Sequence, residues 1–175
     1  MFSIGTPFPG LTIFEPKVWN DERGYFFEAF NQRSFAKAGL QADFVQDNQA
    51  RSTYGVLRGL HYQLEPFAQA KLVRVLEGEV LDVAVDLRPA SPTYRQWFSI
   101  RLSAANRRQL FVPRGFAHGY VVLSPTAEFF YKCDNFYSKE HERGIRFDDP
   151  ALKIDWEVPR EDLTLSEKDL ALPGI

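Results

Sequence analysis

The sequence predicts an all-β protein, an antiparallel sandwich or barrel with a few short helices at its edge. Three observations point there. Apolar and aromatic residues fall in short runs, several with a period of two, and turn residues punctuate the runs at regular spacing. Stretches with helical spacing are few and brief.

Taken in order, Gly24–Phe30 is a short aromatic strand candidate. Asn31 is placed to cap a helix over Gln32–Ala38, with Gly39 ending it. Gly55–Gln63 is strand-like, and Lys71–Leu76 follows as an apolar strand. Glu77-Gly78-Glu79 predicts a hairpin turn into Val80–Leu87, whose alternation is that of a half-buried strand. Gln96–Leu102 alternates in the same way. Pro113-Arg114-Gly115 punctuates the run Phe111–Tyr120, and Glu128–Cys133 is another aromatic strand. From Asp134 onward the chain is charged and irregular, which predicts an outer wrap. A second short helix is expected near Ser166, with Glu167 and Asp169 in its first turn. With no internal repeat, linker or low-complexity segment, residues 1–175 read as one domain.

The chain sets 21 Lys and Arg against 23 Asp and Glu, a formal charge of −2, with no long basic block. Nucleic-acid binding, which rests on clustered cations, is not expected. No run approaches the roughly 18 apolar residues of a membrane span, and no leader pattern opens the chain. Cys133 is the one cysteine, so an internal disulfide is impossible and a reducing cytoplasm is the expected compartment. Beside aromatics it reads as a small buried strand residue, not a nucleophile.

Two of the three histidines lie in glycine-flanked hydrophobic runs, His61 and His118. Imidazole titrates nearest neutrality and suits proton abstraction, provided a partner sets its tautomer. Asp169 is the best carboxylate by pattern. Lys71, a cation opening an apolar strand, suits an oxyanion, and Tyr131 suits a proton donor on the far side. The ordinary alternatives are a surface charge for Lys71 and a satisfied core hydroxyl for Tyr131. Strict alternation would put Arg58 and His61 on opposite faces; a bulge at Gly59 would bring both into one cavity. Arg23, Arg58 and Lys168 are cations suited to a diphosphate. No glycine-rich nucleotide loop is present. No His-x-His occurs, and His61 with His118 alone makes a poor metal shell, so no metal is expected.

Together, Asp21–Glu28, Gln46-Asp47-Asn48, Gly55–Gln63, Lys71–Val75, Pro113–Gly119, Tyr131-Lys132, Glu142–Ile145 and Leu165–Asp169 form an ordered set spanning nearly the whole chain. The set closely resembles the dTDP-4-dehydrorhamnose 3,5-epimerase family. That resemblance implies a cupin jelly-roll homodimer with no metal or organic cofactor. It implies inversion of C3 and C5 of dTDP-4-dehydro-6-deoxy-D-glucose, giving dTDP-4-dehydro-L-rhamnose. By position, His61 matches the family's base, Asp169 its carboxylate partner, Tyr131 the acid and Lys71 the cation at the C4 oxygen. Arg23, Glu28, Gln46, Asn48, Arg58, His118, Glu142 and Lys168 match substrate-contacting positions. The N-terminal region with Arg23 and Glu28 is expected in the partner's site.

Three other readings stand beside this one. They are an epimerase acting on one carbon, a keto-isomerase on a related nucleotide sugar, and a non-catalytic sugar-nucleotide binding module. The joint presence of His61, Tyr131, Lys71 and Asp169 argues against the last, because a binder has no need of an opposed acid and base.

Overall fold

The computed structural model describes residues 2–40 and 42–175. Its strands in chain order are β1 (Phe2–Gly5), β2 (Thr12–Glu15), β3 (Trp19–Asp21), β4 (Gly24–Phe26), β5 (Gln46–Thr53), β6 (Leu57–Gln63) and β7 (Lys71–Glu77). They continue with β8 (Glu79–Asp86), β9 (Trp97–Ser103), β10 (Gln109–Val112), β11 (Phe116–Val122), β12 (Thr126–Cys133) and β13 (Glu142–Gly144). The helices are α1 (Gln32–Lys37) and α2 (Glu167–Leu170), with a 3₁₀ turn at Arg160–Asp162.

One sheet runs β1-β2-β10-β7-β12-β5 and the other β13-β6-β11-β8-β9; β3 and β4 form a separate small hairpin. Every ladder within these sheets is antiparallel. The two large sheets face each other across a core. Val73, Val75, Leu110 and Phe129 come from the first, and Val80, Ala84, Leu102, Phe116 and Tyr120 from the second. This is the expected jelly-roll arrangement.

Three expectations need correction. Glu77-Gly78-Glu79 does not turn a hairpin. β7 pairs with β10 and β12 whereas β8 pairs with β11 and β9, so Gly78 is a corner between sheets. Its φ is +76°, and a Cβ there would overlap the Thr126 carbonyl, which only glycine avoids. Nor is β8 half-buried: all but its first residue are buried, as is the whole of β11. The outer face of their sheet is covered by Ile145, Phe147, Leu152 and Trp156 of the C-terminal segment, packed on Leu81, Val83, Ala117 and Val121. The wrap is legible in the sequence, but the alternation of β8 does not reveal that this segment covers its second face.

The first aromatic strand also ends early, at Phe26. Phe30 instead packs on Phe35 and Phe44 over the outer face of the six-stranded sheet. α1 follows expectation closely. Asn31 Oδ1 accepts from the Arg33 and Ser34 N–H groups, and Phe35 is its buried residue.

Candidate active site

A cavity of about 300 Å³ opens between the two sheets. Arg58 and His61 of β6 and His118 of β11 line one wall, and Lys71 of β7 and Tyr131 of β12 line the other. Lys168 and Asp169 enter from α2. Period two explains the second wall: Phe129, Tyr131 and Cys133 share the inward face of β12, and Lys71, Val73 and Val75 that of β7. The two strands pair Lys71 with Cys133, which puts Lys71 Nζ 5.7 Å from the Tyr131 ring centre.

The first wall needs the irregularity expected at Gly59. His61 is register partner of His118 and Arg58 of Tyr120, so three steps along β6 face two along β11. The extra residue resets the alternation and turns Arg58 and His61 into the same cavity. Gly59 has φ +136°, and an added Cβ would lie 2.6 Å from Gly119 Cα. Glycine on both strands is what allows this approach.

Asp169 Oδ1 lies 2.6 Å from His61 Nε2. Burial alone would raise this carboxyl; the His61 hydrogen bond, the Gly59 backbone and the Ser166 hydroxyl outweigh it and hold it below the usual range. An ionised carboxylate only accepts, so the proton of this bond sits on Nε2, and in the neutral ring the other nitrogen carries the free lone pair. Ser166, the N-cap of α2, accepts from the Asp169 N–H at 3.1 Å. Opposite, burial pushes the Tyr131 phenol up to about 12, so it holds its proton at neutral pH. Burial also lowers Lys71, against the opposing charges of Asp82 and Glu142.

At the rim, Glu142 accepts from Lys168 Nζ at 2.6 Å and from the Tyr137 hydroxyl at 2.9 Å. Gln46 and Asn48 lie on β5, opposite Cys133 and Tyr131 in the ladder. The Gln46 amide reaches Asn48 at 3.1 Å, and its carbonyl accepts from the Tyr137 N–H. Arg58 Nε donates to Ser52 Oγ at 3.2 Å. Arg23 and Glu28 are not brought to this cavity within the chain. Arg23 pairs with Asp21 at the tip of the β3–β4 hairpin, and Glu28 accepts from Asn31 and Ser34 beside a separate surface trough.

Sequence reasoning missed Asp82, Tyr120 and Phe129. Asp82 is fully buried, with both oxygens about 3 Å from His118 Nε2 (2.9 and 3.0 Å). An acid inside an otherwise apolar strand was the available signal. Tyr120 and Phe129 stack at 4.1 Å, one from each sheet, at the back of the cavity. Among the described residues, no group of three or more His, Cys, Asp or Glu side chains gathers as a metal site. No helix of the structure is long and apolar enough to cross a membrane.

The family model for dTDP-4-dehydrorhamnose 3,5-epimerase matches residues 5–175. A dTDP-4-dehydrorhamnose 3,5-epimerase of Shigella flexneri is 58% identical over 168 residues, covering 95% of this chain and 92% of that protein. The crystal structure of an enzyme of the same name from Elizabethkingia anophelis superposes with a TM-score of 0.94 at 55% identity, covering 98% and 94% of the two chains. A dTDP-6-deoxy-D-glucose-3,5-epimerase of Legionella pneumophila, solved with dTDP-4-keto-L-rhamnose, gives 0.93 at 49% identity, covering 98% and 91%.

Proposed function

The chain belongs to the dTDP-4-dehydrorhamnose 3,5-epimerase family, and from that premise we propose how its cavity works. It is an isomerase that inverts C3 and C5 of dTDP-4-dehydro-6-deoxy-D-glucose to give dTDP-4-dehydro-L-rhamnose. The observation that carries the mechanism is that His61 and Tyr131 reach one cavity from opposite sheets.

The C4 ketone acidifies the hydrogen on each neighbouring carbon. His61, oriented by Asp169, takes one of them, and the electron pair left behind moves onto the C4 oxygen as an enolate. Lys71 stabilises that oxygen. Tyr131 returns a proton to the opposite face, which inverts the centre, and exchange with solvent resets both groups. A positioned acid or base contributes roughly 10²–10⁴-fold in rate. Because the ketone is the electron sink, this chemistry calls for no cofactor. Arg58 and Lys168 bind the diphosphate side of the substrate, and His118, Gln46, Asn48 and Glu142 make further substrate contacts.

We read residues 1–175 as one domain, working as a homodimer in the cytoplasm. Arg23 lies on a hairpin where Trp19, Tyr25 and Phe26 are 49–69% exposed, away from its own chain's cavity. These features support a hairpin seated on a second copy, with Arg23 and Glu28 serving that copy's substrate. The single cysteine supports the reducing compartment.

The test is incubation with dTDP-4-dehydro-6-deoxyglucose in heavy water, followed by proton NMR. Deuterium at both C3 and C5 of an inverted product is expected. Label at one carbon alone would make the protein a single-centre epimerase, and a displaced carbonyl would make it a keto-isomerase.

A further inference from the structure

Among the buried carboxylates that the chemistry above does not use is Asp149. It lies in the loop after β13, is 5% exposed and makes no ion pair among the described residues. Its Oδ1 accepts from the Ala151 N–H at 2.8 Å and its Oδ2 from the Ile175 N–H at 2.9 Å. Burial works to raise this carboxyl, and the backbone donors hold it below the usual range instead. Nearby, the Arg146 N–H donates to the Pro173 carbonyl at 2.8 Å. Leu172 lies over Gly144, where an added Cβ would come within 2.7 Å of both its methyl carbons. Gly144 is the ladder partner of His61. Residues 172–175 are therefore fastened to the strand that runs beside the base.

Asp169 precedes this fastened segment by three residues. It rides on a helix of only four residues, far too short to keep its own geometry. On the N-terminal side α2 is anchored where Thr164 exchanges hydrogen bonds with Gly55 and Leu57. On the C-terminal side the anchors are Leu172 on Gly144, Pro173 on Arg146 and Ile175 on Asp149. We infer that Asp149 is a positioning residue for the epimerisation: by fastening residues 172–175 beside β13, it holds Asp169 within hydrogen-bond reach of His61. The inference rests on the proposed roles of His61 and Asp169. A bond of 2.6 Å to a carboxylate is steep in distance, so a small pivot of α2 about Thr164 weakens it.

The experiment is a double-mutant cycle. Asp149→Asn removes one acceptor oxygen, so the Ala151 and Ile175 donors cannot both be served. In the native background kcat is expected to fall about tenfold with KM little changed, and the low-pH limb of kcat to move as it does in Asp169→Asn. In the Asp169→Asn background Asp149→Asn should cost nothing further. Equal fold losses in both backgrounds, or no loss in the native one, overturn the inference. Should Asp149→Asn fail to fold, Leu172→Ala enters the same cycle, since it uncovers Gly144 and leaves the buried charge in place. His61→Asn separates the two levels of argument. Retained turnover there defeats the base assignment, whereas an inactive His61→Asn with equal losses around the cycle defeats the Asp149 role alone.

Discussion

Replacing Asp169 by Asn tests the dyad with almost no change of shape. The carboxylate accepts from His61 Nε2 at 2.6 Å, a charge-assisted bond. Bonds of this kind are worth about 1.5–3 kcal/mol, and each 1.36 kcal/mol is tenfold in rate, which gives a loss of about 10- to 150-fold from charge alone. The amide adds a second defect. It can turn its NH₂ toward Nε2 and favour the tautomer that protonates the other ring nitrogen, the one left free for the substrate. We therefore expect kcat to drop about 10²-fold or more while KM barely changes. The variant should fold, because an amide replaces a buried charge and can still accept from His61. Deuterium uptake at C3 and C5, followed by NMR with the native protein run in parallel, measures the loss at each carbon. Native turnover in Asp169→Asn would refute the reasoning, because a 2.6 Å contact in a low-dielectric site would then contribute nothing.

Gly59→Ala should destabilise the fold by about 3 kcal/mol, because its backbone conformation disfavours a side chain and the added carbon would meet Gly119 Cα at 2.6 Å. A urea midpoint equal to that of the native protein would show the bulge to be dispensable. Above pH 9 the contributions of Tyr131 and Cys133 to stability should fall. Burial raises Tyr131 to about 12 and Cys133 to about 11, so the unfolded chain releases these protons first and stability is lost as pH rises through the folded values. Tyr131→Phe should lose about 1 kcal/mol less than the native protein between pH 9 and 11 in urea titrations. Parallel curves would disprove the assignment.

The fold class was legible because strands carry their period in each segment. Asn31 and Ser166 announced their helices because capping is local chemistry. What the sequence hid is what depends on segments far apart. Gly78 looks the same whether its flanking strands pair or diverge into different sheets, and the difference lies in β10 and β12, more than 30 residues away. Likewise the alternation of β8 says nothing of the later segment that covers its second face. For the site, His61, Lys71, Tyr131 and Asp169 stood out as titratable groups in apolar or punctuated runs. Asp82 did not, because its meaning depends on His118 lying across the ladder. The bulge at Gly59 was legible since a glycine inside a strand has few other uses. Arg23 stood out as a cation and Glu28 only through the resemblance, and within the chain they lie off the cavity, on the β3–β4 hairpin and beside a separate trough.

The Tyr120–Phe129 pair gives the jaws of this enzyme a caliper. One ring belongs to each sheet, and the two stack with their centres 4.1 Å apart, a spacing limited by the thickness of the aromatic rings. The proposed proton giver and proton taker, Tyr131 and His61, hang from those same sheets, so on that proposal the room allotted to a sugar ring is gauged by two side chains outside the reacting set. Trimming or fattening that spacer is a route to hexoses of other girth that leaves every reacting group untouched.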